Sequence, residues 1–275
     1  MHLLLCTEGT PRSEPAAAFG CRLAAQLGAR VTVLEATASP AQPFLPALSA
    51  ASLCATLSAA GLESQAIVRP EVPRQAIVRQ AAQEAYDLIV IGLLQRGNWL
   101  RRWLRGPSTR RVLQGVTAPV LVVPADRPVL RRILLCSGDL WYPAAMVRFV
   151  GMLAQATGAE VTLLHVTPHP TRYYPILRQV EDAWGALLQT DTPQGRNLKL
   201  GRDALVSLGV ETGISLRYGS VVDQILAEIR EGEYELVALG STYAARSLRR
   251  YFVRSITDLV VEQAGRPVLV MRNVS

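Results

Sequence analysis

Short apolar runs recur along the chain, and each run is followed by a turn and then by a longer amphipathic segment. The first example joins an apolar run at residues 3–6, a turn at residues 7–10 and an alanine-rich segment at residues 15–27 that ends at Gly28. Proline early in a segment and glycine just after it are typical of an α-helix. The order of strand, tight turn and helix predicts the opening of a parallel α/β unit.

The same alternation continues through the first half of the chain. The later apolar runs are rich in β-branched residues and show no polar alternation, which indicates strands that are covered on both faces. Five strands alternating with four helices predict a parallel sheet with helices on both faces, because crossovers between parallel strands are short and right-handed. The predicted strands after the first lie at residues 31–36, 64–69, 88–91 and 120–123, and the predicted helices after the first end near residue 60, span residues 75–85 and begin near residue 108.

The second half of the chain repeats the first. Residues 4–6, Leu-Leu-Cys, recur 130 positions later at 134–136, and residues 119–122, Pro-Val-Leu-Val, recur 148 positions later at 267–270. Chance does not hold one register through many matches, so the chain is a tandem duplication. The repeat predicts two domains, at residues 1–127 and 128–275.

The two shifts differ by 18 positions, which places an insertion of that length between Thr167 and Glu211. Residues 173–189 carry apolar side chains at helical spacing, and a second helix is predicted at residues 198–208. We therefore predict a helical insertion around residues 168–200. Such an insertion could cover a pocket, pack on the neighbouring half or form a dimer contact.

The composition is that of a globular protein of 275 residues, and a hydrophobic content of 49% is ample for the cores of two ordinary domains. The four cysteines show no CxxC spacing, which indicates buried thiols in a reducing compartment. The start of the chain is not typical of a signal peptide, and the longest apolar stretch, residues 44–60, is shorter than the roughly 20 residues that a membrane span needs. We therefore expect a cytoplasmic protein without membrane insertion.

The charge of the chain is strongly positive. The formal net charge is +7, and Lys199 is the only lysine, so arginine carries nearly all of the positive charge. A basic balance of this kind permits an anionic partner, but it does not choose among a nucleotide, a nucleic acid and a membrane surface.

A stretch between the last two predicted strands of the first half combines glycines with hydroxyl residues. Gly92, Gly97 and Gly106 would let the backbone approach a ligand closely, since glycine has no Cβ. Ser108 or Thr109 can cap the following helix, whose first N–H groups favour an anion. The pattern therefore predicts a phosphate site in the first half.

Two segments of the first half carry a family resemblance. Residues 8–10, Glu-Gly-Thr, form an acidic turn after the first strand, and Gly106 lies 13 residues before Pro119, which opens a Pro-Val-Leu-Val-Val segment. Turn, spacing and closing segment resemble those of the universal stress protein family, and the resemblance covers nearly the whole chain, twice. It implies an α/β fold of two tandem Rossmann-like (adenine nucleotide alpha hydrolase-like) domains. Each is implied to be a five-stranded parallel sheet of order 3-2-1-4-5 with helices on both faces.

The resemblance implies a stress-response or regulatory module. In family members that bind ATP, the acid after the first strand contacts the nucleoside, and the glycine loop with its Ser or Thr takes the phosphates. Carried over to the first domain, this implies a site for ATP, with Mg²⁺, or for another adenine nucleotide. The implied binding residues are Glu8, Gly9, Thr10, Gly92, Gly97, Gly106, Ser108 and Thr109.

The chain also departs from the family pattern. Gln95 occupies the second glycine position, and Pro107 replaces the expected Ser or Thr and removes one N–H donor. The corresponding loop of the second half keeps Gly240 but has Arg254 where the first half has Gly106. We therefore expect nucleotide binding in the first domain only.

A second hypothesis is an interaction protein that binds no nucleotide. Basic and aromatic residues are interleaved in both loops, as in proteins that bind single-stranded nucleic acid, so a nucleic acid or protein partner could bind there. The resemblance also implies pairing of the two domains within the chain, or a homodimer. The residues of this pattern are Arg96, Trp99, Arg101, Arg102, Trp103, Arg105, Arg110 and Arg111 in the first half and Arg246, Arg249, Arg250, Tyr251 and Arg254 in the second.

The sequence predicts no catalytic residues and no metal site. His165 and His169 have a metal-like spacing, but Pro168 lies between them, so they cannot share a helical face. No paired carboxylates and no nucleophile beside a histidine are evident. Any enzymatic role is therefore limited to that of a slow ATPase.

Overall fold

The structure is a computed structural model that describes residues 1–37, 45–92, 108–127, 129–136, 144–167, 191–241 and 256–272. The chain divides into two compact units, Met1–Pro128 and Val129–Asn273. Each unit alternates parallel strands with helices, so the predicted α/β class and tandem organisation are confirmed.

The first unit follows the predicted order of elements. Two one-turn 3-10 helices, at Pro11–Ser13 and Pro46–Leu48, precede its first and second α-helices. The other elements are β1 (His2–Thr7), α1 (Glu14–Leu27), β2 (Arg30–Ala36), α2 (Ala50–Ala59), β3 (Ser64–Arg69), α3 (Pro73–Gln83), β4 (Leu88–Gly92), α4 (Ser108–Gly115) and β5 (Val120–Val123).

The second unit repeats this order. Its strands are arranged β8-β7-β6-β9-β10, which is the arrangement of β3-β2-β1-β4-β5 in the first unit, and all the neighbouring pairs within each unit are parallel. Its elements are β6 (Arg132–Cys136), α5 (Ala144–Thr157), β7 (Glu160–Thr167), α6 (Pro193–Ser207), β8 (Thr212–Tyr218), α7 (Val221–Glu231), β9 (Leu236–Ser241), α8 (Ile256–Gln263) and β10 (Val268–Arg272).

The strand β1 lies at the centre of the first-unit sheet. Leu4 is opposite Thr32 of β2 on one side and opposite Ile89 of β4 on the other. The chain builds outward from β1 through β2 to β3, and then returns to place β4 and β5 on the opposite side. The direction of building therefore switches between β1 and β4, whose carboxyl ends lie side by side.

The apolar runs form strands because they are covered on both faces. Leu3, Leu4 and Leu5 are each at most 1% exposed, and the whole of β4 is buried. The edge strand β3 is more exposed, and Val68 within it retains 61% of its accessible surface. The central strands thus supply the core that positions the loops at their carboxyl ends.

Two helices begin earlier than the sequence pattern predicts. The helix α3 was expected at residues 75–85 but runs from Pro73 to Gln83, because a proline fits the first turn of a helix, where its missing N–H is not needed. The helix α6 begins at Pro193 rather than at residue 198, and the Thr192 hydroxyl caps it by accepting from the Gly195 N–H at 3.1 Å. The helix predicted at residues 173–189 lies outside the described residues.

Candidate functional site

The turn after β1 is held by hydrogen bonds to its own side chains. The Gly9 N–H donates to the Thr7 hydroxyl at 3.0 Å, and Gly9 has φ of 64°, in the left-handed region that glycine tolerates. The Thr10 N–H donates to the Ser13 hydroxyl at 3.3 Å, and the Ser13 N–H donates back to the Thr10 carbonyl at 2.9 Å. These bonds fix the backbone on both sides of Glu8.

A cleft of about 440 Å³, counting the open solvent at its mouth, lies at the carboxyl ends of β1 and β4. Open parallel α/β sheets bind their ligands at this kind of place, where the strand order switches direction. The residues that line the cleft are Cys6, Thr7, Glu8, Arg12, Ser13, Ala36, Pro73, Ile77, Ile91 and Gly92.

The described walls of the cleft are largely apolar and carry few charged side chains. Ala36 ends β2, Pro73 and Ile77 lie on α3, and Ile91 lies near the end of β4. Two charged side chains complete the lining, a half-buried Glu8 and an exposed Arg12. An apolar slot with one acceptor and one cation suits a flat ring that carries polar and anionic substituents.

Packing within the protein favours glycine at position 92. A Cβ there would lie 3.2 Å from the Arg12 carbonyl oxygen, which is tighter than most Cβ contacts, and 3.8 Å from the Ala16 Cβ, which is an ordinary contact. The end of β4 therefore fits closely against the 3-10 turn that follows β1. The glycine predicted to admit a ligand also serves to close the floor of the cleft.

Cys6 contributes a thiol to the described lining of the cleft, and this thiol is not a reactive group. Its residue is 8% exposed, and burial raises the pKa of the thiol. Because the thiolate is the reactive form, Cys6 acts as a small apolar wall residue. All four cysteines are free thiols; Cys6 and Cys136 are buried, whereas Cys21 and Cys54 are half-buried.

The structure brings part of the predicted site together. Glu8 and Gly92 both line the cleft, whereas Gly9 and Thr10 shape the turn beside it without lining it. Thr109 is buried in the first turn of α4, and its hydroxyl has no hydrogen-bond partner among the described residues. Ser108 begins that helix, while Gly97, Gly106 and nearly all of the interleaved arginines and aromatics lie outside the described residues.

Eight of the ten described lining residues are not among the site residues that the sequence predicted. Ala36, Pro73 and Ile77 come from β2 and α3, which the fold brings to the same edge as Glu8 and Gly92. The other five are Cys6, Thr7, Arg12, Ser13 and Ile91. The available signal was topological, because residues at the carboxyl ends of neighbouring parallel strands share one edge of the sheet.

A polar cluster lies one helical turn beyond Ile77 on the buried face of α3. The Arg69 guanidinium donates to the Gln80 side-chain oxygen at 2.8 Å and to that of Gln83 at 2.6 Å. The Gln80 amide in turn donates to the Tyr86 hydroxyl at 2.8 Å. Arg69 therefore has amide partners and no carboxylate within ion-pair distance in the described part of the chain.

The second unit holds the same cluster with carboxylates in place of the amides. Glu228 accepts from Arg217, from the Ser215 hydroxyl at 2.9 Å and from the Tyr234 hydroxyl at 2.8 Å, and Glu231 also pairs with Arg217. Burial, together with the hydrogen bond to Glu228, raises the pKa of Tyr234 to about 12, so this hydroxyl stays a donor at neutral pH. The repeat thus preserves the geometry of the cluster and changes its charge.

Another titratable group, His2, lies at the start of β1, at the end of the first-unit sheet opposite to the cleft. Its ring lies 4.5 Å from that of Tyr86, and its Nδ1 accepts from Arg30 at 2.9 Å, since a guanidinium can only donate. The Nε2–H is then free to donate to the Thr32 hydroxyl at 2.8 Å. Burial, and then the charge of Arg30, lower the pKa of His2, so its neutral form fits this site.

Two further properties bear on function. No group of three or more His, Cys, Asp or Glu side chains in the described ranges is arranged to hold a metal ion. Among the helices that the structure describes, none is both long and apolar enough to cross a membrane.

Comparison with known proteins identifies the family. The profile of the universal stress protein family matches residues 1–124 and 130–272, which is nearly all of the chain, once in each unit. The chain therefore belongs to the universal stress protein family, with two tandem family domains. A comparison with curated proteins found no match.

Solved structures of tandem length are similar in fold. A universal stress protein from Archaeoglobus fulgidus DSM 4304 is 17% identical with a TM-score of 0.69, and the match covers 98% of this chain and 96% of that one. A functionally unknown protein from Pseudomonas aeruginosa PAO1 is 16% identical, with a TM-score of 0.64 and coverage of 98% and 92%. A putative universal stress protein from Pseudomonas aeruginosa UCBPP-PA14 is 14% identical, with the same TM-score and coverage. At these identities the likeness establishes the fold alone.

Proposed function

We propose that this universal stress protein binds one adenine nucleotide in the cleft of its first unit and acts as a regulatory module in a stress response. The observation that carries the proposal is the cleft itself. It lies at the switch point between β1 and β4, and it places Glu8 beside an apolar slot.

The walls of the cleft suit the base of a nucleotide. Ile77, Ile91 and Pro73 are buried in the floor of the cleft, so the ring of a base would pack over an apolar floor. The half-buried Glu8 carboxylate can only accept hydrogen bonds, which suits the hydroxyl groups of a ribose or the amino group of adenine.

The second unit is proposed to bind no nucleotide. In the sequence, Arg254 stands at the position of Gly106, and a side chain there would crowd the approach of a phosphate to the backbone. The sequence after β6 reads Ser-Gly-Asp at residues 137–139, so its acid is shifted by one position from that of Glu8.

The nucleotide is tested first on the freshly purified full-length protein. Denaturation followed by mass spectrometry identifies any bound small molecule, and a thermal-shift titration with ATP and Mg²⁺, or with AMP, measures binding. A ligand at a hundred times its dissociation constant adds about 2.7 kcal/mol of stability, which is readily visible. Absence of both a released nucleotide and a shift at millimolar concentration would refute the proposal.

Glu8→Gln tests the placement of the nucleotide in the cleft. Loss of a hydrogen bond to a charged acceptor should weaken binding by about tenfold. The matched control is Glu63→Gln. Glu63 is exposed and precedes the amino end of β3, whereas the cleft lies at the carboxyl ends of the strands. Equal affinities for the wild type and both variants would place the nucleotide elsewhere.

A further inference from the structure

We propose that Arg12 is the residue that contacts the phosphate of the nucleotide, so that the first-unit cleft selects a phosphorylated nucleoside over the free nucleoside. The inference rests on the proposed nucleotide function and adds to it the group that recognises the anion. Its basis is the juxtaposition of Arg12, Glu8 and the apolar slot in one cleft.

A phosphate that enters the cleft would be stabilised by a cation near Glu8. Among the described residues that line the cleft, Glu8 supplies the carboxylate and Arg12 the cation. A nucleotide phosphate that met Glu8 alone would be repelled. A guanidinium instead offers a planar set of donors that matches two phosphate oxygens at once.

The backbone of Arg12 is held in place while its side chain remains at the surface. It lies in the 3-10 turn Pro11–Ser13, whose last residue is buried and hydrogen-bonded to Thr10 on both its N–H and its hydroxyl. The end of β4 packs on the Arg12 carbonyl, because a Cβ at Gly92 would lie 3.2 Å from that oxygen. The fixed backbone thus places this exposed residue at the mouth of the cleft, where its long side chain can reach a phosphate.

The two halves of the repeat differ at this position. The shift of 130 positions that relates the first strands of the two halves makes Tyr142 the sequence equivalent of Arg12. A tyrosine carries no positive charge at neutral pH, so the second half lacks this cation at the corresponding position. The difference agrees with nucleotide binding in the first unit only.

The test measures the affinity of AMP and of adenosine by isothermal titration calorimetry, at low and at raised salt, on the full-length protein. Four forms are compared: the wild type, Arg12→Gln, Arg12→Lys and the control Arg79→Gln. Arg79 lies on α3 outside the cleft lining, and its side chain is 58% exposed, so the control removes an equal charge away from the site.

The wild type should bind AMP more tightly than adenosine, and raised salt should weaken AMP binding alone. Arg12→Gln should weaken AMP binding by about tenfold and change adenosine binding by less than about twofold, while Arg12→Lys retains part of the preference. Arg79→Gln should behave as the wild type. Thermal unfolding shows whether each variant is folded, and the exposed position of Arg12 predicts that it is.

The possible failures are distinguishable. If the wild type binds neither AMP nor adenosine, the proposed function is wrong and the inference falls with it. If both ligands bind and Arg12→Gln leaves their ratio unchanged, the proposed function stands and Arg12 does not contact the phosphate. Equal weakening of both ligands by Arg12→Gln would also overturn the inference, because it would indicate a structural role.

Discussion

Replacement of Glu228 tests the polar cluster that both halves of the chain share. Its carboxylate is 8% exposed and accepts hydrogen bonds from Arg217, Ser215 and Tyr234. Glu228→Ala leaves these donors without their acceptor. Glu228→Gln instead places an amide where the first unit has Gln80, which accepts from Arg69 and donates to the Tyr86 hydroxyl.

The expected losses of unfolding free energy follow from the hydrogen-bonding groups that each variant leaves without a partner. Removal of one partner of a buried ion pair costs about 3–5 kcal/mol, and we expect about 3 kcal/mol for Glu228→Ala, because the Arg217 side chain is 21% exposed and keeps Glu231. An amide keeps one acceptor for Arg217 and can donate to Tyr234, so Glu228→Gln should cost about 1–2 kcal/mol. Glu231→Gln is the control, since it makes the same change on an exposed residue and should alter stability little.

The assay is urea unfolding of the full-length protein followed by far-UV circular dichroism. With a slope of about 2 kcal/mol per molar urea, the midpoint for the second unit should fall by about 1.5 M in Glu228→Ala and by about 0.5–1 M in Glu228→Gln. Equal shifts for the two variants would refute the reasoning, because they would show that the amide cannot replace the carboxylate within this geometry.

Two further predictions concern the first unit. Burial and the charge of Arg30 lower the pKa of His2 below its usual value of 6.5, so the unfolded chain takes up a proton first as the pH falls. The stability that the neutral His2 side chain contributes should be complete above about pH 6.5 and decline below it. The urea midpoint of the wild type should therefore fall between about pH 7.5 and 5.5, and His2→Gln should reduce this pH dependence. An unchanged pH dependence of the midpoint in His2→Gln would contradict the prediction. For Gly20→Ala, the new Cβ would lie 2.6 Å from the buried Leu5 Cδ1, so unfolding free energy should fall by about 1–3 kcal/mol, and unaltered thermal stability would contradict the packing.

The elements of the fold could be predicted because their sequence signals are local. Continuous apolar runs at residues 3–6 and 88–91 predict strands that are buried on both faces, and the structure buries them. The shift of 148 positions given by the repeat also relates Arg69 to Arg217 and Tyr86 to Tyr234, and the structure puts the members of each pair in equivalent clusters. Helix starts were less predictable, since Pro73 reads either as a loop residue or as a first helical residue.

The candidate site was only half predictable because its lining comes from separate elements. Glu8 and Gly92 stand in recognisable motifs, whereas Ala36 and Ile77 are ordinary apolar residues whose role depends on the sheet order. Arg12 was not predicted because it stands alone in the sequence, whereas the predicted basic patterns are clusters of several arginines. These residues come together because the strand order switches direction between β1 and β4, and their spacing in the sequence does not reveal this proximity.

The number of nucleotide sites per chain tests the central claim most directly. Isothermal titration calorimetry of the full-length protein with AMP, with protein concentration set well above the dissociation constant, gives this number. The account predicts one AMP per chain, with affinity reduced by Glu8→Gln and by Arg12→Gln. A stoichiometry of zero, or of two equivalent sites, would contradict the claim that the first-unit cleft alone binds the nucleotide.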